Sequence, residues 1–163
     1  MQTQRRTLLA AAALSLVTGC GFELRRAPDF VFRTIAIGSA ATSSLGNELK
    51  RSIASNGNVE VTPVDRAQVV LEVLADQREK VVVGLNASGQ VREFQLRTRF
   101  KFKLRTPAGK ELIADTELLQ QRDISFNESA VLSKEAEENL LYRDMQTDIV
   151  QQLMRRLAAV KSL

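Results

Sequence analysis

The chain has 163 residues with Lys+Arg 23, Asp+Glu 19, a single Cys and neither His nor Trp. Without His, Ser-His-Asp and Cys-His nucleophile pairs and every His-ligated metal site are excluded. One Cys cannot form an intramolecular disulfide. An apolar fraction of 44% with 26% charged residues is typical of a soluble globular fold, and the length predicts one domain. The composition therefore argues against most enzymes without indicating what the protein does, and we predict no cofactor.

The first twenty residues have the pattern of an export signal. Arg5 and Arg6 precede an apolar stretch of about ten residues, which as a helix rises only about 15 Å and is too short to cross a bilayer. Residues 17–20, Val-Thr-Gly-Cys, resemble the bacterial lipobox. That resemblance implies cleavage after residue 19 and acylation of Cys20. The alternative is a Cys that merely lies beside an ordinary cleavage site.

Cleavage after residue 19 also changes the net charge of the chain. It lowers the formal net charge from +4 to +2, because Arg5 and Arg6 are removed. Global charge is then no argument for a nucleic-acid partner.

Gly21 follows the Cys where Asp often signals retention in the inner membrane, so by analogy with lipoprotein sorting the outer membrane is favoured. We predict a signal peptide over residues 1–19, a lipidated tether over 20–32 and one domain over 33–163.

Four patterns define the first half of that domain. Residues 34–37 form a short strand, and Leu45, Leu49 and Ile53 recur at helical spacing from Ser43 to Asn56. Asn56-Gly57 predicts the end of this helix, and residues 59–61 a second short strand. A long strand starts near residue 67, with an apolar face predicted at alternate positions: Val69, Leu71, Val73 and Ala75.

The clearest pattern lies between a turn at residues 86–89 and another at 107–110. Apolar and basic residues alternate there with a period of two, which predicts a strand with one apolar and one basic face. We call its cations the basic row: Arg97, Arg99, Lys101, Lys103 and Arg105. The row would be roughly 27 Å long. Such a row fits lipid phosphates, acidic glycolipid or an acidic protein wall. The alternative is a solvated face paired with carboxylates on adjacent strands, from among Glu72, Asp76, Glu111, Asp115 and Glu117.

The remaining chain completes an α+β domain. A third long strand is predicted over residues 112–124 and a long helix over 133–161, with its buried stripe at Leu141, Met145, Ile149, Leu153, Leu157 and Val160. The order is β-α-β-β-β-β-α: a small, mostly antiparallel sheet of four to five strands with two helices on one face. Asp144 and Asp148 are predicted to be surface charges of the last helix. Aromatic residues fall on the apolar side of the alternation, which argues against nucleic-acid binding.

Several strings resemble one known family. They are CGFELR at 20–25, GQ at 89–90, EFQL at 93–96, YRDM at 142–145 and QLMRRL at 152–157. In this order, behind a lipobox, they resemble the LptE family of lipopolysaccharide-assembly lipoproteins. The resemblance implies a non-enzymatic plug in the lumen of the outer-membrane β-barrel (LptD) that inserts lipopolysaccharide.

The resemblance also implies partners and contact residues. The chain would face the periplasm, assist folding of the barrel and bind lipopolysaccharide through basic residues. Lys134 matches one such basic position. At the tip of the hairpin, where another is expected, this chain has Asn86-Ala87-Ser88, and Arg92 or Arg97 can substitute. The alternative is a periplasm-facing lipoprotein that scaffolds another envelope assembly.

Overall fold

The computed structural model describes residues 28–38 and 43–163, so the predicted signal peptide and Cys20 lie outside the described residues. Its elements are β1 (Thr34–Ile37), α1 (Ser44–Ser55), β2 (Glu60–Val61), β3 (Val69–Leu85), β4 (Val91–Arg105), β5 (Glu111–Ser125) and α2 (Val131–Ala158). Short 3-10 turns precede β3 at Val64–Arg66 and α2 at Glu128–Ala130. The predicted order β-α-β-β-β-β-α is confirmed.

The strands form one sheet in the order β2-β1-β3-β4-β5. β1 is parallel to β2 and β3, whereas β3, β4 and β5 pair antiparallel. The long strands extend roughly 50 Å, so they continue far beyond β1. We call the end at which β3 begins and β4 ends the proximal end, and the end that carries the turn at residues 86–90 the distal end. The mostly antiparallel α+β class is confirmed.

Both helices cover one face of this sheet. α1 is capped by Ser43, whose side chain accepts the Gly46 N–H at 2.9 Å, and it is followed by Gly57 at a φ of 71°. Its predicted apolar residues, Leu45, Leu49 and Ile53, are buried. They share one core with β4 and α2 residues: Phe100, Phe102, Leu104, Ile149, Leu153 and Leu157.

The buried side of α2 is wider than the predicted stripe. Met145, Ile149, Leu153 and Leu157 are buried, while Leu141 and Val160 are half-buried. The helix also buries a second set of residues, because it contacts both the sheet and α1: Tyr142, Gln146, Val150 and Met154. The core additionally contains Phe30 and Phe32, which are 4% and 1% exposed and whose ring centroids lie 5.3 Å apart. Packing therefore begins before residue 33.

A β-bulge changes which face β3 presents to the helices. Val73 lies opposite Phe102, but Ala75 lies opposite Lys101, so Leu74 is an extra residue. The prediction that Ala75 shares the face of Val69, Leu71 and Val73 is wrong, because period two does not continue through a bulge. Distal to it, Asp76, Arg78 and Lys80 lie on the helix-covered face, opposite apolar or neutral residues of β4.

Candidate functional site

The face of the sheet that the helices do not cover, here called the open face, carries the whole basic row. Phe100, Phe102 and Leu104 of β4 are fully buried, whereas the alternating cations at 97, 99, 101, 103 and 105 are half-buried. The predicted alternation of β4 is confirmed. The row occupies the centre of the open face, with β3 on one side and β5 on the other.

Carboxylates on both adjacent strands approach four of these cations. Glu72 of β3 binds Arg105 and also Lys103, whose Nζ lies 2.9 Å from Glu72 Oε2. On the β5 side, Lys101 Nζ lies 3.3 Å from an Asp115 carboxylate oxygen, and Arg99 Nε lies 3.7 Å from one of Glu117. The open face therefore carries a row of cations with carboxylates on both sides of it. Pairs this exposed each contribute at most about 1 kcal/mol to stability and can exchange partners.

Glu72 is the carboxylate that pairs with two cations of the basic row, Lys103 and Arg105. Hydrogen bonds from Lys103, then from Arg105, lower the pKa of Glu72 below its ordinary value, and Glu72 raises the pKa of Lys103. The stabilisation that Glu72 contributes to the fold is lost only as pH falls through its lowered pKa. The stabilisation that Lys103 contributes is lost only as pH rises through its raised pKa. Glu72 and Lys103 consequently remain charged across the neutral range.

Arg97 differs from the other cations of the row. Its Nε donates a hydrogen bond to Gln95 Oε1 at 2.8 Å, and within the described part of the chain it forms no ion pair. Its cross-strand neighbours are Glu79 and Gln121. Arg97 is therefore the member of the row whose charge is least satisfied by the fold. Asp76, one of the predicted acidic partners, lies instead on the helix-covered face, opposite Phe100.

Lys134 lies on a different surface from the basic row. Its Nζ is 2.9 Å from Ser125 Oγ and 2.8 Å from Glu137 Oε2, near the start of α2. It borders a cavity of about 70 Å³ whose wall includes Phe94 and Phe126. The structure thus places Lys134 at the distal end and does not bring it together with Lys103 or Arg105.

Lys80 is a residue of this distal cavity that the sequence pattern did not indicate. Its Nζ lies 2.6 Å from Glu138 Oε2 and 4.3 Å from the centroid of the Phe94 ring. The amine therefore combines an ion pair with a cation–π contact. Lys80 reaches this position because the bulge at Leu74 turns it toward α2, and the alternation of the sequence carries no sign of that turn.

The sequence pattern also did not indicate a polar network between the sheet and the helices. Arg78 donates from Nη2 to Gln146 Oε1 at 2.6 Å and to Ser44 Oγ at 3.0 Å. Gln146 is 7% exposed, and its amide donates in turn to Glu48 at 2.5 Å. These bonds join β3, α1 and α2 and satisfy polar groups that would otherwise be costly to bury. The network holds the helices on the sheet.

The surface charges of α2 agree with expectation. Asp148 forms an ion pair with Arg122 of β5 at 2.9 Å, and half of its side chain is exposed. This carboxylate is therefore part of a surface pair. Among the described residues, no helix is both long enough and apolar enough to cross a membrane.

The fold is shared with small bacterial lipoproteins of known structure. Lipoprotein B from Nitrosomonas europaea is 33% identical, with a TM-score of 0.74 over 85% of this chain and 91% of that one. Rare lipoprotein B from Shewanella oneidensis is 21% identical, with a TM-score of 0.65 over 78% and 95%. A minor lipoprotein from Acinetobacter baumannii is also 21% identical, with a TM-score of 0.64 over 80% and 94%. The class of the protein is thus an α+β lipoprotein domain.

Residues 32–157 match the model of the LptE family, described as lipopolysaccharide-assembly. The chain belongs to this family. The protein is accordingly an outer-membrane lipoprotein of lipopolysaccharide assembly, from a non-enzymatic family that works with the lipopolysaccharide transport machinery.

Proposed function

We propose that the protein is a non-enzymatic plug and assembly partner of the outer-membrane β-barrel that translocates lipopolysaccharide (LptD). The long open face carries the proposal. Its charges are half-exposed, with a row of cations flanked by carboxylates on both adjacent strands, and the interior of a large membrane barrel is polar. Such a face fits a polar wall of mixed charge. Acyl chains on Cys20 would hold the domain at the periplasmic side of the outer membrane.

The same protein binds lipopolysaccharide in this proposal, through cations that meet lipid phosphates. Arg97 and Lys134 are the first contacts, because Arg97 has no ion pair among the described residues and Lys134 lies on the distal cavity. Arg99, Lys101, Lys103 and Arg105 follow by exchanging a carboxylate for a phosphate. Arg is well suited to this exchange, since guanidinium binds phosphate through two parallel hydrogen bonds. Cations at the phosphates would weaken lipid aggregation during transfer.

Co-purification tests the plug. A tagged copy of the lipoprotein, extracted from outer membranes in mild detergent, is expected to bring down one large β-barrel protein in an equal amount. The rival hypothesis, a lipoprotein that scaffolds another envelope assembly, predicts a different set of partners. The plug is refuted if no barrel is recovered from membranes in which the barrel is abundant.

Charge reversal tests the lipopolysaccharide contacts. The double variant Arg97→Glu/Lys134→Glu is expected to bind lipopolysaccharide at low salt at least about tenfold more weakly, since each hydrogen bond to a charged group contributes about 1.5–3 kcal/mol. Arg143→Glu, at an exposed position of α2, is the control and should bind normally. Equal affinity of the double variant and the unaltered protein, measured at equilibrium with purified protein, would refute the electrostatic contact.

A further inference from the structure

The proximal end carries a concentration of exposed cations that the open face does not include. They come from separate parts of the chain that the fold brings together: Arg33 before β1, Lys50 and Arg51 of α1, Arg66 before β3, Lys110 before β5, and Arg155, Arg156 and Lys161 near the end of α2. The end of α2 belongs here because Arg156 and Val160 border a groove with Leu112 and Ile113, at the start of β5. All but Lys50 are exposed.

Acidic residues are fewer at this end. Asp29, Glu60, Asp65 and Glu111 are the described acidic side chains near it, half as many as the cations. One of the cations, Lys110, also donates to the main-chain oxygen of Leu163 at 2.9 Å. At the distal end the acids outnumber the cations: Glu79, Glu93, Asp123, Glu128, Glu135, Glu137 and Glu138 accompany the cations Lys80, Arg92, Arg97, Arg122 and Lys134. The molecule is therefore polarised along its long axis, with its positive end where the described chain begins.

Most of the proximal cations are not neutralised by ion pairs with other described residues. Within the described ranges, no ion pair involves Arg51, Arg66, Arg155, Arg156 or Lys161. Arg155 and Arg156 lie in the last turn of α2, where they favour the helix dipole. That explanation does not extend to Arg66, which is outside both helices, or to Arg51, because the last turn of α1 has no basic residue.

The path of the chain brings this positive end close to the proposed lipid anchor. The Pro28 carbonyl accepts a hydrogen bond from Asn56 Nδ2 at 2.6 Å, beside the end of α1. Seven residues lie between Cys20 and Pro28, so the eight Cα–Cα steps of a fully extended tether reach at most about 28 Å. An acylated Cys20 consequently confines the proximal cations to the vicinity of the membrane surface.

We propose that the proximal end is a docking surface for the headgroups of anionic phospholipids. This inference rests on the proposed function for the acyl anchor. Each Lys or Arg near an anionic bilayer strengthens binding by about fivefold, so the cluster supplies a second attachment besides the acyl chains. It also orients the domain: the positive end lies on the headgroups, and the acidic distal end points away from them.

Vesicle sedimentation tests the surface without the anchor. The mature chain with Cys20→Ser is used, because the core is formed from Phe30 onward and does not require acylation. It is expected to bind vesicles of phosphatidylethanolamine with phosphatidylglycerol at least about tenfold more tightly than vesicles of phosphatidylethanolamine alone. Raised salt should abolish this preference, since exposed charges are screened.

Two variants on different elements test the residues. Arg155→Glu/Arg156→Glu and, independently, Arg51→Glu/Arg66→Glu are each expected to reduce binding to the anionic vesicles by about tenfold or more. The matched control is Arg92→Glu/Arg143→Glu, which makes the same change in net charge at exposed positions away from the proximal end and should bind normally.

The outcomes separate this inference from the function on which it rests. Equal binding to both kinds of vesicle, or an equal loss in the control, would overturn the docking surface. So would a result in which the proximal variants bind vesicles normally but no longer co-purify with the barrel, because the cluster would then contact protein. The vesicles contain no lipopolysaccharide and no barrel, so failure of the proposed plug leaves this measurement unaffected.

Discussion

Phe100→Ala is expected to lower the free energy of unfolding by about 3–5 kcal/mol. The Phe100 ring is fully buried at the centre of the sheet, between strands β3 and β5 and beneath the helices. Its removal leaves a cavity that the long, tightly paired strands cannot close. Domains of this size are typically stable by about 5–15 kcal/mol, so the loss is a large fraction of the total. Urea unfolding followed by circular dichroism measures it.

The adjacent residue provides the control. Lys101→Ala changes the same strand on the open face, where Lys101 pairs with Asp115 at 3.3 Å and both side chains are about half exposed. Its effect should stay below about 1 kcal/mol. Similar losses for both variants would mean that the two faces of β4 do not differ in burial as described.

Cys20→Ser is expected to abolish acylation of the protein completely. Cys20 is the chain's one thiol, and the proposed lipobox chemistry would attach the diacylglycerol to that sulfur. Labelled palmitate supplied to growing cells should enter the unaltered protein and not the variant. Several acyl chains bind a membrane stably, so the variant should also lose its anchor, although a barrel partner can still retain it.

The fold of the variant is the control for this experiment. Its core begins at Phe30, well after the altered position, so the unfolding midpoint should equal that of the unacylated parent domain. Palmitate incorporated into Cys20→Ser would place the acyl chain on another residue and contradict the assignment of Cys20.

Much of the fold follows from periodicity in the sequence. The alternation of β4 identified its buried and basic faces, because every second side chain of a strand lies on the same face. Leu45, Leu49 and Ile53 gave the buried side of α1 for the equivalent reason in a helix. These patterns are local, so they do not depend on how the elements are arranged.

Features that depend on pairing were not predictable in this way. The bulge at Leu74 moved Ala75 to the open face and Lys80 to the distal cavity, because it depends on how β3 aligns with β4. The separation of Lys134 from the basic row follows from the helices covering only one face. Alternation in the sequence indicated five possible carboxylate partners for the basic row, and only the register selected Glu72, Asp115 and Glu117 among them.

The bulge also has a consequence for how the chain finds its structure. A slip of two residues between β3 and β4 would keep every side chain of a regular hairpin on its original face, so alternation alone cannot exclude it. The extra residue Leu74 removes this ambiguity, because in a slipped pairing the bulge would no longer lie beside Phe102. Side chains between the old and new positions would then change faces, and part of the apolar surface that contacts the helices would be exposed. One inserted residue thereby makes a single alignment of two long strands preferable to its nearest competitors.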